Sequence, residues 1–223
     1  FVKHRHGVKG QAVQPMRLPS LLAWLEARVA SGNDGSGSGG AADPQFVVQE
    51  EVAPPALWEG RKFAIRCHAL VAARGRAQPR AWLHRDVIVL PYARPFDAAS
   101  DDRAVHISQA GKAHPPPTLA SLLPSDHPAA EAELWPRLRG LVGGCLSAAA
   151  PALFPSAQGG GATTSLRCDA STLYSVLACD VALDAAGTPV LLEVNSHCAI
   201  ADGTMAAVPT AVYTRLVADV TAL

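Results

Sequence analysis

The sequence has little charge, few aromatic residues and no net charge. Only 17% of its 223 residues are charged and 5% are aromatic, and 19 basic residues balance 19 acidic ones. This balance argues against a free-standing nucleic-acid-binding domain, which carries a basic excess, although a local basic patch is compatible with it. Hydrophobic residues make up 49%, so the chain is not a disordered tail, and its length suits a domain with a real core.

Cysteine pairs and long apolar runs are also missing. The five cysteines are scattered and none forms a CxxC pair, which disfavours a disulfide scaffold or a zinc site and favours a reducing compartment. The apolar runs are too short to span a membrane, and no signal peptide opens the chain. Because the first residue is Phe1 rather than Met, we expect the natural protein to extend further upstream.

Helical periodicity occurs in three places. Leucines from Leu18 to Leu25 recur at helical spacing, and residues 130–150 are also predicted to be helical. Near the end of the chain, apolar residues recur at four-residue steps, namely Val208, Val212, Leu216 and Val220. Residues 31–45 form a Gly/Ser-rich tract that we expect to be a flexible insertion. Residues 97–127 are polar and rich in proline, which predicts a loop.

The strands are predicted to pair as hairpins. RKFAIRCHALVAA alternates most clearly, with Lys62, Arg66 and His68 on one face, and AWLHRDVIVLPY is a plausible partner strand. Residues 171–196 read as two strands around a turn at Asp184. Paired strands mixed with helices predict an α+β fold rather than a doubly wound parallel sheet.

The last hairpin carries a candidate metal site. Glu193 and Asn195 lie two residues apart and project from one face of their strand, whereas Leu192 and Val194 point the other way, into a core. Asp180 lies on the partner strand. If the hairpin pairs in register, these three oxygen-bearing side chains can converge, and such ligands suit Mg²⁺. The alternative is an exposed polar face of an antiparallel sheet.

Basic residues mark a candidate anion site. Lys62 and Arg66 share a strand face and Arg85 follows on the next strand, so they could clamp a polyphosphate, the alternative being a solvated strand face. A glycine loop with Lys9 follows a strand that carries Lys3, and backbone N–H groups of such a loop can cradle phosphate. As a lone pattern, this loop is weak.

Taken in order, these segments resemble the tubulin–tyrosine ligase and ligase-like family, which has an ATP-grasp fold. EGRKFAIR is similar to the family's GRKFDIR motif, and CDVALD…PVLLEVNS is similar to its FDFMVD…VWLIEVN block. The segments VKGQAV, FVVQEEV, AWLHRDVIVL and HISQ resemble the family's phosphate loop, adenine hinge, YLYREG segment and HLTN motif. The resemblance covers most of the chain, which would then be a partial ATP-grasp domain over residues 1–223 without the N-terminal subdomain.

The resemblance implies a set of site residues. Asp180, Glu193 and Asn195 would bind Mg²⁺, and Arg66, Arg85 and Glu193 would serve the chemistry. The residues implied to bind ATP are Lys3, Lys9, Gly10, Gln49, Glu50, Glu51, Val52, Lys62, Ser108 and Gln109. One departure bears on activity, because Ala64 stands where the family has an aspartate near ATP and its metal.

The resemblance also implies an activity. Family members use ATP and Mg²⁺ to join an amino acid (Tyr, Glu or Gly) to a protein carboxylate through an acyl phosphate, most often on tubulin. The implied partners are tubulin or another protein with an acidic tail and a free amino acid, without nucleic acid or membrane, in the cytoplasm, on the cytoskeleton or in cilia. Two alternatives stay open: a catalytically weak ATP-binding module that binds a cytoskeletal partner, and a ligase of small molecules.

Overall fold

A computed structural model of the chain forms two compact units, residues 1–63 with 91–114 and residues 64–90 with 115–223. We call them unit 1 and unit 2. The residues that the structure describes are 1–4, 13–30, 46–74, 79–107, 119, 130–153, 172–196 and 210–222. The expected insertion at 31–45, and most of the expected loop at 97–127, lie outside these residues.

The described part of unit 1 contains a small antiparallel sheet and two helices. Its strands are β1 (Val2–His4), β2 (Val13–Gln14) and β3 (Phe46–Val48), in the order β2-β1-β3. Helix α1 spans Leu18–Ala30 and helix α2 spans Arg103–His106.

Helix α2 is a short helix inside the segment expected to be a loop. Its N-cap is Asp102, whose side chain accepts a hydrogen bond from the backbone N–H of Ala104 at 2.9 Å. Aspartate is a strongly preferred N-cap because its carboxylate satisfies an otherwise unpaired N–H of the first turn. This cap, which places His106 at the end of the helix, is the local reason that the helix forms.

Helix α1 is present as predicted, but its leucine row is not a buried face. Leu18, Leu22 and Leu25 are 66%, 50% and 39% exposed. The helix instead contacts β3 through aromatic and cationic groups: the Trp24 ring lies 5.2 Å from that of Phe46, and the Arg28 guanidinium lies 4.3 Å from the same Phe46 ring. Leucine spacing therefore identified the helix and not the side that packs.

Within the described residues, unit 2 contains the larger sheet and two helices, although Phe63 at the start of β4 and Pro91 at the end of β6 are counted in unit 1. Its strands are β4 (Phe63–Arg74), β5 (Arg80–Leu83), β6 (Ile88–Pro91), β7 (Thr172–Leu183) and β8 (Pro189–Asn195). The order is β5-β4-β7-β8, with β6 also paired to β4. Helix α3 spans Ala130–Leu153 and helix α4 spans Thr210–Thr221. Antiparallel sheets mixed with helices confirm the predicted α+β class. Among the helices described, none is long and apolar enough to cross a bilayer.

The two central strands of unit 2 are buried on both faces over residues 67–71 of β4 and 177–181 of β7. Helix α4 covers one face, where Tyr213 and Leu216 form a core with Ile88. Helix α3 packs against β5 and β8. On β4, Cys67 and its neighbour His68 point to opposite faces and both are fully buried. The solvated strand face that was one reading of β4 is therefore wrong for His68.

The turn between β7 and β8 is the predicted one. The Asp184 side chain accepts hydrogen bonds from the backbone N–H groups of Ala186 and Thr188, at 2.9 and 2.7 Å. The backbone N–H of Gly187 donates to the carbonyl of Asp184, and Gly187 adopts a φ of +76°, which only glycine adopts without strain. These contacts hold the pKa of Asp184 below its usual value, the hydrogen bond from Thr188 being the largest cause. The turn fixes the register of the hairpin.

Candidate functional site

A row of three charged side chains crosses the sheet of unit 2. Asp180 in β7 is the register partner of Arg66 in β4 on one side and of Glu193 in β8 on the other. Residues that face each other in antiparallel strands project from the same face of the sheet. The register therefore aligns a guanidinium and two carboxylates, which we call the charged row.

The first two members of the charged row form a bidentate ion pair. Arg66 donates from Nε to Asp180 Oδ1 and from Nη2 to Asp180 Oδ2, both at 2.8 Å. Their side chains are 15% and 11% exposed. The hydrogen bonds to Asp180 raise the pKa of Arg66 above its ordinary value despite the opposing effect of burial. Two parallel hydrogen bonds fix the orientation of both side chains.

The other end of the charged row is open to solvent. Glu193 is exposed, and its Oε1 accepts a hydrogen bond from Asn195 Nδ2 at 3.1 Å. The register shifts beside this pair, because Asp180 faces Glu193 whereas Val181 faces Leu191. Such an irregularity re-aims side chains and is common next to active sites.

The neighbours of Glu193 on β8 are less buried than expected. Leu192 and Val194 were expected to point into a core, but Leu192 is only half-buried and Val194 is 40% exposed. The in-register hairpin that brings Asp180, Glu193 and Asn195 together is present. Their role as metal ligands stays a prediction.

The donor set fits Mg²⁺ in its chemistry. Carboxylate and amide oxygens are the hard ligands that this ion prefers, and Glu193 and Asn195 can offer theirs directly. Asp180 has to share both oxygens with Arg66. Within the described residues, no three His, Cys, Asp or Glu side chains are grouped to hold a metal ion. A metal at this hairpin would therefore need an amide or non-protein oxygen to complete its ligands.

Unit 1 holds a second ion pair, which is organised differently. Lys62 is 7% exposed, and its Nζ donates to Glu51 Oε1 at 2.7 Å. The Nζ atom also lies 3.3 Å from His106 Nδ1. Burial lowers the pKa of Lys62 below its ordinary value, and Glu51 partly opposes this effect. Sequence reasoning assigned Lys62 to phosphate and Glu51 to the adenine hinge, and no signal in the sequence linked the two.

Aromatic rings surround this lysine. The rings of Phe1, Tyr92 and Phe96 lie 5.3, 5.5 and 5.6 Å from Lys62 Nζ, within the range of cation–π attraction. We call Lys62, Glu51, His106 and these three rings the lysine cluster. It provides a low-dielectric setting in which the ammonium group interacts strongly with any anion that reaches it.

The remaining predicted site residues are spread over both units. In unit 1, Lys3 of β1 is half-buried. The predicted hinge residues follow β3, namely Gln49, Glu50 and Val52. The backbone N–H of Gln49 donates to the carbonyl of Phe1 at 2.8 Å. In unit 2, Arg85 is exposed between β5 and β6. Four predicted residues lie outside the described residues: Lys9, Gly10, Ser108 and Gln109.

His68 is a buried histidine close to the charged row. It lies in β4 two residues beyond Arg66, is fully buried, and packs edge-on against the Tyr213 ring at 5.8 Å. Neither ring nitrogen has a hydrogen-bond partner within the described residues. Burial, assisted by the charges of Arg66 and His84, lowers the pKa of His68 to about 4. The ring is therefore neutral at physiological pH.

The buried cysteines of the sheet are not nucleophiles. Cys67 and Cys179 face each other on β4 and β7 and are fully buried. Burial raises the pKa of Cys67 to about 12 and that of Cys179 to about 11. Because the reactive form of cysteine is the thiolate, both side chains act as small apolar groups at neutral pH.

One family model matches part of the chain. Residues 20–110 match the model described as the tubulin-tyrosine ligase family. No curated protein matches the chain. The matched segment includes Glu51, Lys62, Arg66 and Arg85, whereas the hairpin with Asp180 and Glu193 lies beyond it.

Proposed function

We propose that this chain, which residues 20–110 assign to the tubulin-tyrosine ligase family, is an ATP- and Mg²⁺-dependent ligase that adds an amino acid to a protein. The family match suggests ATP-dependent ligation with tubulin-like substrates. The finer proposal is that Tyr, Glu or Gly is joined to a carboxylate of a protein tail, most often that of tubulin, through an acyl phosphate.

The charged row is the observation that supports this proposal most. A ligase of this type needs acidic oxygens for a metal and fixed cations for phosphoryl oxygens, and the register places Arg66, Asp180 and Glu193 side by side. The alternative, a solvated sheet face, would leave these side chains exposed to water. Arg66 and Asp180 are instead nearly buried and form a bidentate ion pair.

The chemistry of the reaction explains why these groups are needed. A carboxylate is a poor electrophile at neutral pH, and transfer of a phosphoryl group from ATP gives it a good leaving group. Mg²⁺ would neutralise charge on the phosphoryl oxygens and would be held by Glu193, Asn195 and a shared oxygen of Asp180. Lys3 and Lys62 would contact phosphate oxygens, and the exposed Arg85 would orient the acceptor carboxylate.

A direct assay tests the ligase. The purified chain is incubated with ATP, Mg²⁺, each of the three amino acids and tubulin, and mass spectrometry records added residues. We expect a mass increase that requires ATP and is lost in Glu193→Gln, whereas Glu133→Gln, at an exposed position of α3, retains it. No added residue and no nucleotide binding would refute the proposal, and full activity of Glu193→Gln would refute the metal assignment.

A second candidate is a catalytically weak ATP-binding module that binds a cytoskeletal partner. Ala64 favours it, because this position is only 3% exposed and precedes Arg66 by two residues on the same strand face. An aspartate there would supply the acidic group that the family motif contains. If Ala64→Asp turns over ATP at least about tenfold faster than the unaltered chain, the natural sequence is a weakened enzyme. Equal turnover would favour the active ligase.

A further inference from the structure

His106 makes polar contacts at both ring nitrogens. It lies at the end of α2, with Nε2 at 2.8 Å from the carbonyl oxygen of Ser100. Its Nδ1 lies 3.3 Å from Lys62 Nζ and 3.4 Å from Glu51 Oε1. The side chain is 4% exposed, so these contacts are shielded from water.

These contacts determine which nitrogen carries the hydrogen. The carbonyl of Ser100 can only accept, so Nε2 must donate to it. A neutral imidazole then has its lone pair on Nδ1, and the Lys62 ammonium has only hydrogens to offer. In this neutral form, Nδ1 accepts a hydrogen bond from Lys62, whereas a doubly protonated ring would donate from Nδ1 to Glu51 Oε1.

The lysine cluster thus directs the ammonium group. A lysine ammonium has three hydrogens, and within the described residues Glu51 and His106 engage two of them. The rings of Phe1, Tyr92 and Phe96 surround the group at cation–π distance. Of the contacts described, those to Glu51 and His106 leave one hydrogen and the positive charge for an anionic oxygen.

We infer that His106 is a positioning residue, whose Nδ1 lone pair fixes the orientation of the Lys62 ammonium group and thereby aims it at a phosphate oxygen of ATP. The phosphate contact rests on the proposed function, whereas the orientation of Lys62 does not. His106 itself touches no reacting atom in this arrangement and acts through the lysine.

The competing explanation is that His106 only fills space. Its ring lies edge-on to Phe1 and Phe96, with centroids 6.1 Å away in each case, so it also contributes to packing. The two roles require different replacements. Asparagine can place an oxygen close to the Nδ1 position and restores the acceptor without the ring, whereas phenylalanine restores the ring without the acceptor.

A crossed pair of variants separates the two roles. His106→Asn and His106→Phe are compared by NMR titration of the Lys62 side chain and by calorimetric titration with ATP. We expect His106→Phe to lower the pKa of Lys62 further and to weaken ATP binding about tenfold, the factor for one lost hydrogen bond to a charged group. His106→Asn should stay close to the unaltered chain in both measurements. His84→Phe, a buried histidine of unit 2, is the control and should not change the Lys62 titration.

The unaltered chain provides a test that does not depend on variants folding. The ¹⁵N chemical shifts of His106 should show hydrogen on Nε2 and a lone pair on Nδ1 near neutral pH. The opposite tautomer, or a phenylalanine variant that matches the unaltered chain while the asparagine variant does not, would overturn the inference. Absence of ATP binding by the unaltered chain would instead refute the proposed ligase, while the NMR results would still decide the orientation of Lys62.

Discussion

Lys62 and Arg66 lie four residues apart in sequence, yet each binds its carboxylate in a different way. Arg66 grips Asp180 through two parallel hydrogen bonds of 2.8 Å, and both side chains are nearly buried. Lys62 makes one contact of 2.7 Å with Glu51, whose side chain is 31% exposed. The arginine pair is rigid and hard to open, whereas the lysine pair can exchange its carboxylate for another anion.

A histidine lies near each ion pair, and the two histidines differ in whether their ring nitrogens have polar contacts. In unit 1, His106 has polar contacts at both nitrogens. In unit 2, His68 has none within the described residues. Buried polar groups normally find partners, so His106 belongs to a satisfied network and His68 is a local cost. The ion pair of unit 2 fixes the orientation of Arg66 and Asp180, whereas the lysine of unit 1 lies beside a carboxylate that is 31% exposed.

Removal of Asp180 should have the largest effect on stability. Asp180→Ala leaves the Arg66 guanidinium buried without its carboxylate, and opening such a pair costs about 3 kcal/mol or more. Urea unfolding of the variant and the unaltered chain measures the difference in free energy.

The control for this loss is an exposed carboxylate of the same unit. Asp219, which lies 3.2 Å from His84 Nε2, has a side chain that is 71% exposed. Asp219→Ala should cost less than about 1 kcal/mol. If Asp180→Ala costs no more than Asp219→Ala, the contrast between the rigid and the exchangeable pair is wrong.

The unsatisfied His68 should make stability depend on pH. Burial lowers its pKa to about 4 in the folded chain, whereas an unfolded histidine titrates near 6.5. The unfolded state binds the proton first, so the stabilisation is complete above about pH 6.5 and is lost as the pH falls towards 4. Between pH 7.5 and 4.5 the loss should be about 2 to 3 kcal/mol.

A leucine variant isolates this contribution from the other titrating groups. His68→Leu has a similar volume and no proton to bind. The unfolding free energy of the variant and of the unaltered chain is measured at pH 7.5 and at pH 4.5. Relative to the unaltered chain, the variant should gain about 2 to 3 kcal/mol when the pH is lowered from 7.5 to 4.5. A difference that is the same at both pH values would show that His68 has a partner that satisfies it.

The sequence predicted elements whose signals are local. The alternation of β4 and the turn at Asp184 specified a hairpin, and the hairpin register then aligned Asp180 with Glu193. Periodicity also predicted the three long helices. Motif similarity added the family, which the match to residues 20–110 supports.

The sequence did not predict contacts that depend on which element covers which. The burial of His68 follows from helix α4, which lies far along the chain and covers that face of the sheet. The pairing of Lys62 with Glu51 follows from the return of the segment after β3 towards the start of β4, and the role of His106 follows from the cap of α2. None of these has a period or spacing that a sequence pattern could show.

Removal of Glu51 should cost less than removal of Asp180. Glu51→Ala takes one acceptor from Lys62, but His106 and the aromatic rings remain, and the carboxylate is partly solvated. We expect a loss of about 1 kcal/mol in urea unfolding. Glu59→Ala, at an exposed position of unit 1, is the control and should change the unfolding free energy by less than about 0.5 kcal/mol. A loss as large as that of Asp180→Ala would mean that the lysine pair is equally rigid.

The smallest effect on stability is expected at the open end of the charged row. Glu193→Gln keeps the oxygen that accepts from Asn195 and removes only a charge that faces solvent, so unfolding should change by less than about 0.5 kcal/mol. Binding of Mg²⁺, measured by calorimetry, should nevertheless weaken strongly, because Asp180 is already committed to Arg66 and Glu193 is the carboxylate left for a cation. Glu133→Gln should change neither quantity. Unchanged metal affinity in Glu193→Gln would mean that Glu193 binds no metal ion. The charged row would then serve the fold alone, through the nearly buried pair of Arg66 and Asp180.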